Sequence, residues 1–231
     1  NKDKIIELSE AMKEANATLL ETGGATPNKI WQEGDSQNAI YAVRSLGIDP
    51  SNGRELFLKK NGEVTYTWDA NDRVFCGVDQ PDYRGNINTM FMWKDLSVNL
   101  SFGYEWGGQQ YNSTLISRVE NADKKYNVDR RVYEDRWKEP GDRTFFKGIN
   151  ETTATQATSR FVQDEATFTC QNLNVTYDLK GNKWLKRNLG IQTLTLKGDI
   201  ADLFRISTIK QERGTSYPFS RQFSFTLSAM F

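Results

Sequence analysis

Histidine is missing from all 231 residues. Its absence excludes Ser-His-Asp and Cys-His catalysis, His-ligated metals and the side chain that titrates near neutrality. Cysteine is scarce. Cys76 and Cys170 stand far apart, without a CxxC pair or a cluster, so neither a zinc site nor a disulfide framework is supported. A single disulfide stays open, and two unpaired small apolar residues is the simpler reading. Charge of one sign is not in excess. The 30 Lys and Arg balance 30 Asp and Glu, which removes the bulk electrostatic case for nucleic acid. Long apolar runs are absent too. The longest, Ala39 to Val43, falls far short of the roughly 20 residues of a helical membrane span. Mean hydropathy is −0.68. None of this excludes a transmembrane β-barrel, whose strands turn every second residue to a polar lumen. The first residues, Asn1-Lys2-Asp3-Lys4, carry neither an initiator Met nor a signal peptide. The expectation is a processed chain or a piece of a longer one.

What is present is alternation. Asp3 to Leu20 is the one good helix candidate, with Ile5, Leu8, Met12, Ala15 and Leu19 near one face, Asp3 as cap and Gly23-Gly24 beyond its end. Residues 21 to 55 read as loop. Asn61-Gly62 then joins two strand-like, charged arms into a hairpin over 55–68 that belongs in water. From residue 86 the period becomes two. Ile87, Thr89, Phe91 and Trp93 alternate with polar residues and Met, and Lys94-Asp95 turns the chain. Leu96 to Trp106 repeats the pattern. Further strands are expected over 166–179, 191–201 and 222–231. The first of these changes phase, so a bulge is expected near Gln171.

Strict alternation fits a soluble sheet with one wet face or a barrel wall in lipid. Three features favour the wall. The polar positions are mostly small and uncharged (Ser97, Asn99, Ser101, Asn172, Asn174, Thr176). Aromatic rings (Trp93, Tyr104, Trp106, Tyr177, Phe223, Phe231) gather towards strand ends. Tight turns alternate with long connections over 108–165 and 205–221. The fold expected from the pattern is all-β and antiparallel, with long loops and one short helix: either a transmembrane β-barrel segment or a soluble sandwich or small barrel.

Several stretches, in order, resemble the C-terminal part of the SusC/RagA family of TonB-linked outer-membrane transporters of Bacteroidetes. They are Leu46-Gly47-Ile48-Asp49-Pro50 with Gly53-Arg54-Glu55-Leu56-Phe57; Gly77 with Asp79-Gln80-Pro81; Phe102-Gly103-Tyr104-Glu105-Trp106-Gly107-Gly108-Gln109-Gln110-Tyr111-Asn112; Arg118 to Asp123; Asp129-Arg130-Arg131-Val132 with Asp135-Arg136-Trp137-Lys138-Glu139-Pro140-Gly141-Asp142; Ser159-Arg160-Phe161-Val162-Gln163; and Phe204 to Ser207 with Lys210 to Phe219. Ala201-Asp202 departs from the family's usual Asn at this point. The final strand, with Phe223, Phe225, Leu227 and a terminal Phe231, resembles the C-terminal signal of Gram-negative outer-membrane barrels.

The resemblance implies a large plugged barrel in the outer membrane, with residues 1–85 and the long loops extracellular and Phe231 in the periplasm. It implies import of a glycan or peptide under a SusD-like lipoprotein lid, driven by TonB through an N-terminal part not included here. Five membrane strands cannot close such a barrel, which needs about 22. The chain is therefore expected to pair with the remainder of the barrel and plug, or to be one segment of a broken chain. A soluble or surface β-rich carbohydrate- or peptide-binding module is the alternative.

No catalytic, cofactor or metal site is legible. Asp69, Asn71 and Asp72 lack the order of a calcium loop, and Gly107-Gly108 lacks a phosphate cradle's context. The chain reads as a non-enzyme. Sugar rings and peptides both stack on flat aromatic faces. Trp106, Tyr111, Tyr133, Trp137, Tyr217 and Phe219 are thus candidate contacts for ligand or lid, or else girdle anchors and loop packing. Arg130, Arg131, Asp135 and Arg136 are expected to form a charge network in their loop.

Overall fold

The structure is a computed structural model and describes residues 3–123, 125–209 and 221–231. The chain divides into two compact units. One comprises the residues up to Asp82 with Gly107–Asp164, the other Tyr83–Trp106 with Glu165–Phe231. The predicted Tyr217 and Phe219 lie outside the described residues.

The first unit opens with α1 (Glu10–Glu21), not a helix from residue 3. Ser9 caps it, its hydroxyl accepting from the Met12 amide at 3.4 Å. Asp3 instead accepts from Ser36 and Gln37. Ile5 is drawn into backbone bonds with Gly34 and Asp35, so the first turn cannot form there. The supposed loop at 21–55 contains β1 (Ala39–Ile48), the strand at the centre of this unit. Its run Ala39 to Val43 is buried throughout, as a strand covered on both faces must be. It pairs with β2 (Glu55–Leu58), and β2 with the short β3 (Val64–Thr65), around the expected Asn61-Gly62 turn. On its other side β1 pairs with β4 (Arg73–Val78), giving the order β3-β2-β1-β4.

The second unit is a five-stranded antiparallel meander. β5 (Tyr83–Trp93) turns at Lys94-Asp95 into β6 (Leu96–Tyr111), whose last residues belong to the first unit. Lys94 takes a left-handed φ of 54° to close this two-residue turn. The chain then returns to the first unit. There α2 (Ser113–Leu115) runs into a turn of π-helix, Ile116–Glu120, and α3 (Arg131–Glu134) follows. Leu115, Ile116, Val119, Val132, Phe146 and Phe161 make a buried cluster there. The long segment without a sustained period is thus a folded part of a core. Its apolar residues meet across loops, which leaves no period to read.

β7 (Val162–Lys180), β8 (Thr193–Ser207) and β9 (Gln222–Met230) complete the meander in the order β5-β6-β7-β8-β9. The connector after β7 carries α4 (Lys183–Leu189), capped by Asn182 and closed by Gly190 at φ 69°. The bulge expected near Gln171 is present. The register shifts between Cys170 and Asn172, and Asp202 opposite has φ 51°. Phe168 stacks on Phe102 while Asn174 bonds Asn99, so the strand changes phase between them. Cys76 and Cys170 are both free thiols, and Cys170 is fully buried. Among the described residues no helix is long and apolar enough to cross a membrane.

Candidate functional site

The meander has two unlike faces. Cross-strand partners share a face, and Ile87↔Phe102, Thr89↔Leu100, Phe91↔Val98 and Trp93↔Leu96 begin an apolar one. Tyr177↔Leu196↔Leu227 and Ile200↔Phe223 continue it. Phe223 and Phe225 are 69% and 74% exposed, so no layer of the described residues covers this face there. At one end Tyr83, Tyr104 and Trp106 stack with centroids 5.0 to 5.6 Å apart. The opposite face is a polar lattice. Ser101 donates to Asn88 at 2.7 Å, Asn99 to Asn174 at 3.3 Å, Asn174 to Asp199 at 2.5 Å, and Thr195 to Asp178 at 2.6 Å. β5 and β9 have no outer partner strand among the described residues.

The first unit is held by buried charge. Arg160 bonds Glu120 through both terminal nitrogens, at 2.8 and 2.6 Å, and Glu55 at 3.0 and 2.7 Å. The three side chains are no more than 6% exposed. Ser45 and Thr155 add hydroxyl donors, so the carboxylates are satisfied on several sides. Burial lowers the Lys147 pKa, and Lys147 donates to the Thr153 carbonyl. The charge network expected within 130–136 takes another form. Arg130 pairs with Glu134 and Arg131 with Asp129. Arg136 turns inward and donates to the carbonyls of Val119, Glu120 and Lys147. A buried guanidinium needs donors satisfied more than it needs a neighbouring charge.

These ties shape two clefts that share Arg54 and Glu151. The larger, about 550 Å³, is walled by Tyr66, Trp68, Lys147 and Thr155. Tyr66 is clamped. Arg54 lies 4.8 Å from its ring centroid, and its hydroxyl donates to Asp49 at 2.5 Å. That bond and the Ser51 amide hold the Asp49 carboxyl below the usual carboxylate range. The smaller cleft, about 490 Å³, is walled by Tyr133, Trp137, Arg136 and Lys138. Trp137 is fixed by a bond from its indole to the Pro50 carbonyl at 2.9 Å. Its ring fills the space beside Gly53 and Gly148. Glu151 is pulled below the usual range by Thr153, with Lys147 and Arg54 adding to it.

Of the predicted aromatic residues, the structure brings Tyr133 and Trp137 together in the smaller cleft. Trp106 is on the meander, with Tyr83 and Tyr104. Tyr111 packs against the first unit's core, and its hydroxyl donates to the Ala25 carbonyl. Phe223, Phe225 and Leu227 lie along β9, and Phe231 follows it. Sequence reasoning missed Arg54, Tyr66, Lys138 and Glu151 as cleft residues. Only proximity to Trp137 in the motif Trp137-Lys138-Glu139 marked Lys138. Nothing local marked Glu151.

No family model matches the chain, and no curated protein matches it. Solved structures do. The RagAB peptide importer in an open-open state superposes with a TM-score of 0.67 at 18% identity, covering 87% of this chain and 23% of that one. A RagAB peptide transporter structure gives 0.61 at 20% identity, covering 81% and 21%. A closed-closed state of the RagAB peptide importer gives 0.60 at 19%, covering 78% and 20%. This chain spans less than a quarter of the length of those chains. The shared feature is the fold, an all-β barrel segment, and it agrees with the resemblance carried by the sequence motifs.

Proposed function

We propose that this chain forms an arc of the wall and outer loops of a TonB-dependent transporter in the Gram-negative outer membrane. The carrying observation is the meander: among the described residues one face is apolar and uncovered, the other is a polar hydrogen-bonded lattice, and both edge strands have no outer partner. A bilayer accepts such a sheet only in a closed barrel, since each unpaired backbone group in lipid costs several kcal/mol. β5 has 11 residues and β9 has 9, about the 9–11 needed for a tilted crossing. Further strands and a plug would complete the barrel, with Phe231 at the periplasmic side and the first unit outside.

The importer would take up peptide rather than glycan, with a SusD-like lipoprotein over its outer face and TonB as the energy source. Support for peptide comes from the similar structures, which are named as peptide importers. No enzymatic role is proposed. Membrane fractionation of cells producing the intact protein tests the reading. Recovery in the outer membrane, solubility only in detergent, and loss of oligopeptide uptake on gene deletion are expected. A monodisperse protein without detergent would overturn it and favour a soluble binding module. Retained peptide uptake with lost oligosaccharide uptake would overturn the peptide assignment.

A further inference from the structure

Building on the importer reading, we propose that the smaller cleft of the first unit is a carboxylate-recognition subsite that takes the free carboxylate of a peptide. Three cations line it, Arg54, Arg136 and Lys138, against one carboxylate, Glu151. The excess of positive charge is set beside two aromatic walls, Tyr133 and Trp137. At about 490 Å³ the cleft holds a short peptide end.

Each cation is placed and incompletely engaged. Arg54 is oriented over Tyr66, yet its Nε lies 3.7 Å from Glu151, too long for a hydrogen bond. Glu151 instead accepts from the Thr153 amide at 3.0 Å. An incoming carboxylate can therefore meet the Arg54 fork at the usual 2.7–2.9 Å of a charge-assisted pair. Lys138 rests its ammonium 4.8 Å from the Tyr133 ring centroid, a cation–π contact that leaves ammonium hydrogens for an acceptor. Arg136 is 2% exposed, and its Nε has no partner among the described residues. Its buried charge adds positive potential behind the cleft wall, where Lys138 and Arg54 make the direct contacts. Trp137, immobilised by Pro50, supplies a rigid apolar wall for the peptide's last side chain.

Titration calorimetry on the intact protein in detergent tests this with three probes: the tripeptide Ala-Leu-Ala, its C-terminal amide, and glucuronate. The free acid should bind at least about tenfold tighter than the amide, the size of one charge-assisted contact. Lys138→Gln, at an exposed position, should remove most of that preference by weakening the free acid's binding more than the amide's. Arg54→Gln should act likewise. Glucuronate binding in place of the peptide, with the same sensitivity to both variants, upholds the carboxylate subsite and assigns an acidic sugar as its source. Equal binding of acid and amide, indifference to both variants, or no binding of any probe overturns the proposal. The importer reading is tested separately by membrane fractionation, so each can fail alone.

Discussion

Arg160 and Glu120 face each other as two parallel hydrogen bonds, 2.8 and 2.6 Å long, in the interior of the first unit. Glu55 closes the other side of the same guanidinium. One cation thus joins β2, the π-helical turn and the short 3-10 turn Ser159–Phe161 that leads into β7.

Arg160→Met would leave two carboxylates buried without their counter-ion. Removing one member of a buried ionic group costs about 3–5 kcal/mol. Chemical denaturation followed by circular dichroism should show a loss of that order. Arg160→Lys keeps the charge but not the fork, and should also destabilise, because one ammonium cannot serve both carboxylates bidentately.

Gly53 stands at φ 71° with the Trp137 ring where a Cβ would be. Gly53→Ala should therefore displace Trp137 as well as strain the backbone, at about 1–2 kcal/mol. In 5-fluorotryptophan-labelled protein, the ¹⁹F resonance removed by Trp137→Phe should move in Gly53→Ala. An unmoved resonance would mean that the ring is not held as described.

The Asp49–Tyr66 contact predicts an acid transition. The folded Asp49 carboxyl lies below its ordinary value, chiefly through the Tyr66 hydroxyl. The unfolded state then binds the proton more readily, so the stabilisation is complete above the ordinary carboxylate pKa. It fades as pH falls through the folded value. Ser51 donates its amide to Asp49 at 2.8 Å. Its hydrogen exchange, corrected for the intrinsic rate, should accelerate as pH drops below the ordinary value of about 3.9. Tyr66→Phe should shift this transition to higher pH.

The two faces of β9 should respond oppositely to charge. Phe225 pairs with Gly198 on the apolar face, and Ser224 with Asp199 on the polar one. Phe225→Arg should cost about 2–4 kcal/mol if it meets lipid near the midplane. Ser224→Arg should be tolerated beside Asp199. Heat-modifiability on gels reads barrel assembly in each variant, and equal tolerance would argue against a lipid-facing sheet.

The meander was legible because alternation is a local property. Each strand's pleat places residues i and i+2 on one face, so Leu96 to Trp106 announces its own two-sidedness without knowing its neighbours. The phase change that requires a bulge near Gln171 is local in the same sense. The interior of the first unit is not. β1 carries a continuous apolar run, whose strand character follows from being covered on both faces, and the covering elements lie elsewhere in the chain. Residues 107–164 look aperiodic because their core is assembled across loops. Arg160 finds Glu55 across 105 positions, and Arg54 reaches Glu151 across a similar gap. Residue types and alternation thus determined a two-faced barrel wall. Which charges and rings share a cleft was decided by tertiary structure alone, because buried ion pairs and loop packing join residues that no local period relates.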